Sequence, residues 1–244
     1  MALSLRLLLL CCSFLMAFPA HAQTVKPLLI EQTDLRVNLS PHVLLLEDPE
    51  AQFSVDQIHG SPRSSWQPVT GKYPNMGKTG SVWWLRFAID NPSSTSVSGV
   101  IEINYPILDN LQLFQLGADK PMRAQHSGDH LLLGERPMQV RNPWMPVELV
   151  PGRNDFYLRV ETSSTVFVPL YFSTWPAAAA NLEVSMLANG LFYGVLLGLF
   201  AYNLFLYMAL RERSYLWYLI YNMNMLLFMA AFDGLLWKWL PMGI

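Results

Sequence analysis

The chain has 244 residues, of which 52% are hydrophobic and 14% charged, with a formal net charge of −2. Soluble domains run nearer to about a quarter charged, and both ends of this chain are almost free of charge. The near-neutral balance excludes a basic nucleic-acid surface and a strongly acidic tail, so no nucleic-acid partner is expected.

Residues 1–22 read as a signal peptide. Arg6 is its only charge, an apolar run spans Leu7 to Phe18, and Ala20-His21-Ala22 forms a small-x-small cleavage site before Gln23. The run is too short to cross a bilayer, and Pro19 ends it. Cys11 and Cys12, the only cysteines, lie inside it. A lipid anchor on either is the weaker alternative, because only leucines precede them. A mature chain without cysteine has no disulfide, no thiol chemistry and no cysteine metal site.

From Gln23 to about Leu182 the pattern is of short β runs broken by turn residues. Leu35–Asn38 and His42–Leu46 read as edge strands. Ser81–Asp90 alternates and ends at Asn91-Pro92-Ser93-Ser94. Val97–Asn104, Asn110–Leu116, Val147–Val150, Asp155–Glu161 and Val166–Phe172 follow. Turn signals at this spacing, with no helical period between them, predict an all-β sandwich or jelly roll over residues 23–182. Trp175-Pro176 followed by Ala177–Ala180 marks the end of the sheet and the start of a helix.

Leu187–Leu210 is a 24-residue stretch without a charge, and Tyr215–Phe232 gives 18 more. About 20 apolar residues cross a hydrocarbon core. The expectation is a pair of transmembrane helices at 187–210 and 215–236, joined by a cytoplasmic loop at 211–214. Arg211 and Arg213 then lie inside. Residues 237–244 return to the outer face, where Trp237 and Trp239 suit an interfacial belt. The lipid bilayer is thus an expected partner.

Candidate site residues come from the sandwich. Along Ser81–Asp90, Trp83, Leu85, Phe87 and Ile89 share the plausible core face, and Trp84, Arg86, Ala88 and Asp90 share the other. Trp84 beside Arg86 makes a surface able to stack on a sugar ring or to bind a carboxylate. Asp109, Arg141, Trp144 and Arg159 fall on neighbouring segments and could join it. The competing reading is a structural ion-pair network covered by Trp84. In the first membrane helix, Gly190, Gly194 and Gly198 stack on one face as a packing seam for a further helix or a second protomer. Asn203, Asn222 and Asn224 should face other helices rather than lipid. No catalytic set, phosphate loop or dinucleotide fingerprint is present, so no enzyme activity and no cofactor are expected. His126-Ser-Gly-Asp-His130 is interrupted by a turn and is not read as a metal site. Glu47 and Asp48 beside Pro49 read as a solvated turn. Asn38-Leu39-Ser40 matches a glycosylation sequon and carries little meaning.

The ordered motifs Trp84-Leu85-Arg86-Phe87, Asn91-Pro92, Tyr105-Pro106-Ile107-Leu108-Asp109, Gly128-Asp129, Arg136-Pro137, Arg141, Tyr157-Leu158-Arg159-Val160 and Ser163-Ser164 form a series. With Gly190–Leu210 and Arg211–Leu216, they resemble the bacterial seven-transmembrane receptors with diverse intracellular signalling modules (7TMR-DISM). The resemblance implies a periplasmic jelly roll similar to carbohydrate-binding modules and seven spanning helices. It also implies an output domain, commonly a diguanylate cyclase or a histidine kinase. The ligand class it implies is a periplasmic small molecule or glycan. The sequence stops at Ile244 after two helices, so the expectation is the input part of a longer or truncated product, located in the inner membrane with its N-terminal domain in the periplasm. The alternative is a membrane-tethered carbohydrate- or envelope-binding module without a signalling role.

Overall fold

The computed structural model describes residues 26–30, 35–60, 66–116, 122–132 and 134–232. The expected signal peptide and the expected outer-face end at 237–244 lie outside them.

Two antiparallel sheets face one another. The larger runs β4 (Gln67–Pro68), β3 (Leu44–Asp48), β6 (Val82–Asn91), β11 (Gly152–Glu161), β8 (Asn110–Leu116) and β9 (Arg123–Ser127), with β1 (Leu28–Leu29) parallel on β6. The smaller runs β10 (Trp144–Leu149), β7 (Val97–Ile103), β13 (Leu170–Thr174) and β2 (Arg36–Asn38). A ribbon of β5 (Asn75–Lys78) and β12 (Thr165–Phe167) completes the set. The chain crosses between sheets after β6, β7, β9 and β10, so most neighbours within a sheet are not consecutive, the winding of a jelly roll.

The core lies between the sheets. Leu85, Phe87 and Ile89 of β6 join Phe156 and Leu158 of β11, and they meet Ile101, Ile103, Val147 and Phe172 of the smaller sheet. The Phe87 and Phe156 rings stack at 5.1 Å. This is the core face that the alternation of β6 predicts. The run Val166–Phe172 is two strands rather than one. Pro169 has no N–H for a ladder, and Val168 donates instead to the Pro74 carbonyl at 2.9 Å. β10 begins at Trp144, before the expected Val147, and tolerates Pro146 because it is an edge strand.

Asp48 corrects the reading of a solvated turn. It is 2% exposed, and its two carboxylate oxygens accept the backbone N–H groups of Gln52 and Phe53 at 3.0 and 2.9 Å. Asp48→Ala would leave both donors without an acceptor. Chemical denaturation is expected to show a loss of about 1–3 kcal/mol.

A short helix, α1 (Val55–Gly60), went unpredicted. It lays Val55 and Ile58 over the outer face of the larger sheet, where they pack with Trp66 against Trp84, Ala88 and Tyr157.

α2 (Trp175–Leu210) follows β13 without a loop. Residues 175–182 are therefore helix and not sandwich, because Pro176 presets the first turn and four alanines favour helix. Thr174 is the N-cap, but its hydroxyl accepts the Leu35 N–H at 3.1 Å instead of capping the helix. The first turns of α2 lie on the outer face of the smaller sheet. Ala178 is buried with Val100 and Trp144, and Met138, Val140, Trp175 and Leu182 pack around them. At 1.5 Å per residue the helix is about 54 Å long. It is the one helix among the described residues that is long and apolar enough to cross a membrane.

Arg211, at φ 54°, ends α2, and α3 (Arg213–Phe232) begins two residues later, so the link is shorter than the expected 211–214. Trp217, Tyr218, Tyr221, Asn222 and Asn224 make α3 less apolar than α2. Asn222 faces α2 and donates to the Leu196 carbonyl at 3.5 Å. Asn203 and Asn224 do not reach across. They donate to their own helices, to Leu199 at 2.8 Å and Ile220 at 2.9 Å. A Cβ added at Gly190, Gly194 or Gly198 would meet nothing within 4 Å, so this stripe is not the α2–α3 contact.

Candidate ligand-binding site

Strand register sets out the outer face of the larger sheet. Leu46, Trp84, Arg159, Gln112 and His126 form one row across it, and Leu44, Arg86, Tyr157, Phe114 and Ala124 form the next. Trp84 stacks on Phe114 at 5.9 Å. The Arg86 guanidinium lies 5.4 Å from the centre of the Tyr157 ring. The Tyr157 hydroxyl and His59 Nδ1, on α1, share a hydrogen bond at 3.2 Å. Arg159 Nη1 donates to Glu161 at 2.7 Å.

The geometry corrects the expected stacking platform. Trp84 is 1% exposed, because α1 and Trp66 cover it, so no ligand in solvent can lie on its ring. The six expected ligand residues also fall in three places. Trp84, Arg86 and Arg159 share the outer face of the larger sheet. Trp144 is buried on the outer face of the smaller sheet, under Ala178 of α2, and Arg141 lies three residues ahead of it. Asp109 sits at a loop corner before β8.

That corner is built by three turns. Asp109 accepts the Ser163 N–H at 2.7 Å and the Thr162 hydroxyl at 2.9 Å. Asp129 N–H donates to the Leu108 carbonyl and His130 N–H to the Asp109 carbonyl, at 2.9 and 3.2 Å. His130 Nε2 is 3.7 Å from the Asp109 carboxylate. The ligand atoms of Asp109, Asp129 and His130 lie within 4.8 Å of one another, the one such group of three among the described residues that a metal ion could bridge. Asp109 is a loop clasp first, since the 162–163 turn already engages both its oxygens. His126 and His130 do not converge. His126 lies on β9 and His130 beyond the Gly128–Asp129 turn.

The two aspartates are pushed in opposite directions. Burial raises the Asp109 carboxyl, but hydrogen bonds from Ser163 and Thr162 outweigh it and hold the group below the ordinary carboxylate value. Burial, and then the Asp109 charge, push Asp129 above that value. Asp109 therefore contributes stability at neutral pH that is lost as pH falls through its lowered pKa. Asp129 has the reverse sign, stabilising most in acid and losing that contribution as pH rises through its raised pKa. Asp129→Asn is expected to stabilise the protein at neutral pH and to change little below the ordinary carboxylate pKa. Urea midpoints at the two pH values check this.

Sequence reasoning missed Trp66, His59, Tyr157 and Asp129. The signal for Asp129 was available in Gly128-Asp129, a turn that turns back onto Asp109. Nothing local marked Trp66 or His59, which reach the face through α1.

Residues 40–174 match the family description "7TMR-DISM extracellular 2", and residues 185–243 match "7TM diverse intracellular signalling". The chain belongs to the 7TMR-DISM family. Its first match is to an extracellular domain of these receptors. No curated protein matches the chain. Among solved structures, "Xyl-CBM35 in complex with glucuronic acid containing disaccharide" is 19% identical, covering 42% of this chain and 75% of its own, with a TM-score of 0.24. "CBM35 from Cellvibrio japonicus Abf62" is 20% identical, covering 53% and 91%, with a TM-score of 0.24. A family GH115 glucuronidase, BtGH115A, is 14% identical, covering 59% and 18%, with a TM-score of 0.27. The β-sandwich itself is read from this chain's own sheet order.

Proposed function

We propose that this 7TMR-DISM chain is the sensory input part of a multi-pass receptor of the bacterial inner membrane. In this reading residues 1–22 direct export, the sandwich faces the periplasm, and residues 187–210 and 215–236 are the first two spans. A small molecule or glycan is the input. The output, a diguanylate cyclase or a histidine kinase, belongs to a longer form.

The observation that carries the reading is the junction. β13 runs into α2 without a loop, and the first turns of α2 are seated on the smaller sheet through Ala178, Val100 and Trp144. A sandwich displaced by ligand would move the root of α2 with it, which biases a two-state helix bundle as a population shift. Of the expected ligand residues, Arg86 and Arg159 remain candidates on one face. The glycine stripe on α2 is proposed to meet a further helix or a second protomer, since it does not meet α3.

The test is removal of the sandwich from the whole gene product. Signalling should lose its response to periplasmic conditions. An unchanged response under every condition tried would sink the sensory role and leave the membrane-tethered binding module.

A further inference from the structure

The loop corner before β8 brings two carboxylates and an imidazole together. One ligand atom each from Asp109, Asp129 and His130 lies within 4.8 Å of the other two. The backbone fixes this convergence. Asp129 N–H donates to the Leu108 carbonyl and His130 N–H to the Asp109 carbonyl, so the turn after Gly128 is pinned against Asp109. Ser163 N–H and the Thr162 hydroxyl hold the Asp109 carboxylate from the other side. Those two bonds do not exhaust Asp109, because an ionised carboxylate offers about four lone-pair sites.

A separate observation points to a cation. Asp129 Oδ1 is buried and accepts no hydrogen bond among the described residues. A buried carboxylate oxygen is seldom left so, because its desolvation is then uncompensated. Among the described residues no lysine or arginine lies within 4 Å of either carboxylate. The basic side chain within that range is His130, and neutral imidazole is itself a common metal ligand. The corner is open to solvent on that side, since the His130 side chain is 73% exposed.

We propose that Asp109, Asp129 and His130 bind a divalent transition-metal ion, zinc before others, with water completing its shell. The donor set decides the class. An imidazole nitrogen with carboxylate oxygens suits zinc, whereas calcium and magnesium take oxygen ligands. Neighbouring ligands of a tetrahedral zinc ion stand roughly 3.3 Å apart. His130 Nε2 is already 3.7 Å from the Asp109 carboxylate, and its exposed ring is free to turn. His126 takes no part, because it lies on β9 ahead of the turn. A bound ion would tie the 128–130 turn to Asp109, and through Asp109 to the 162–163 turn. The site goes beyond the receptor reading and does not depend on it.

The test uses the full chain in detergent micelles, freed of metal with a chelator and titrated with zinc chloride in a calorimeter. Zinc should bind saturably, and calcium and magnesium chloride at the same concentrations should not. His130→Ala removes an exposed side chain and Asp129→Asn keeps the shape of its residue, so both proteins should fold, which circular dichroism checks. Each substitution should weaken zinc binding by about tenfold or more. His126→Ala should leave it unchanged. No saturable zinc binding, calcium binding as tight as zinc, or zinc binding that survives either His130→Ala or Asp129→Asn would overturn the proposal. Loss of binding in His126→Ala would overturn it too. None of these readouts involves signalling, so their failure leaves the receptor reading standing. Zinc binding that holds while signalling ignores the sandwich would overturn the receptor reading instead.

Discussion

Trp84→Ala is expected to destabilise the sandwich by about 3–5 kcal/mol, the range for truncating a buried aromatic. The size follows from where the side chain sits. Trp84 is in the middle of β6, which is itself flanked by β3 and β11. It stacks on Phe114 and is roofed by Val55, Ile58 and Trp66. Removing it opens a cavity between sheet and helix that α1, six residues long, cannot collapse to fill. A denaturant titration should show a lowered midpoint with an unchanged slope. A Trp84→Ala protein with wild-type stability would mean that the ring is not packed under α1.

Gly128→Ala is expected to cost about 3 kcal/mol or more, for two reasons that add. Gly128 sits at φ +129°, which a residue with a Cβ rarely adopts. A Cβ there would also collide with the Asp109 carbonyl oxygen and lie 2.8 Å from its carbon. Both are backbone atoms, held by the His130 N–H on one side and by the 162–163 turn on the other, so neither can yield cheaply. The expected readout is a lowered thermal midpoint together with early loss of hydrogen-exchange protection at the Ser163 and His130 amides. Wild-type protection at those amides would contradict the corner described above.

The strands that form the sandwich core were legible because period-two alternation reports burial directly. Leu85, Phe87 and Ile89 could be assigned to the interior from β6 alone. The same alternation could not tell what covers the opposite face. Trp84 and Arg86 read as surface, because α1 has no amphipathic length to announce it and lies about 25 residues away in sequence. Asp48 was misread for a related reason. A carboxylate beside proline looks solvated until the chain turns back and presents two N–H groups to it. The separation of Trp144 from Trp84 was equally hidden, since adjacent motifs in the sequence alternate between two sheets. The start of α2 was legible in Trp175-Pro176 and the alanine run, whereas its seating on Val100 and Trp144 depends on how β13 delivers it.

The central claim is that α2 reads the state of the sandwich through its seat on the smaller sheet. Ala178 is 0% exposed at that seat, so Ala178→Glu must part the helix from Val100 and Trp144. The measurement is the signalling output of the intact gene product carrying this substitution, with circular dichroism to establish that the sandwich is folded. The account predicts an output that no longer follows periplasmic conditions, fixed at one level. An output that still responds as in the wild type, with the sandwich folded and the seat broken, would contradict it.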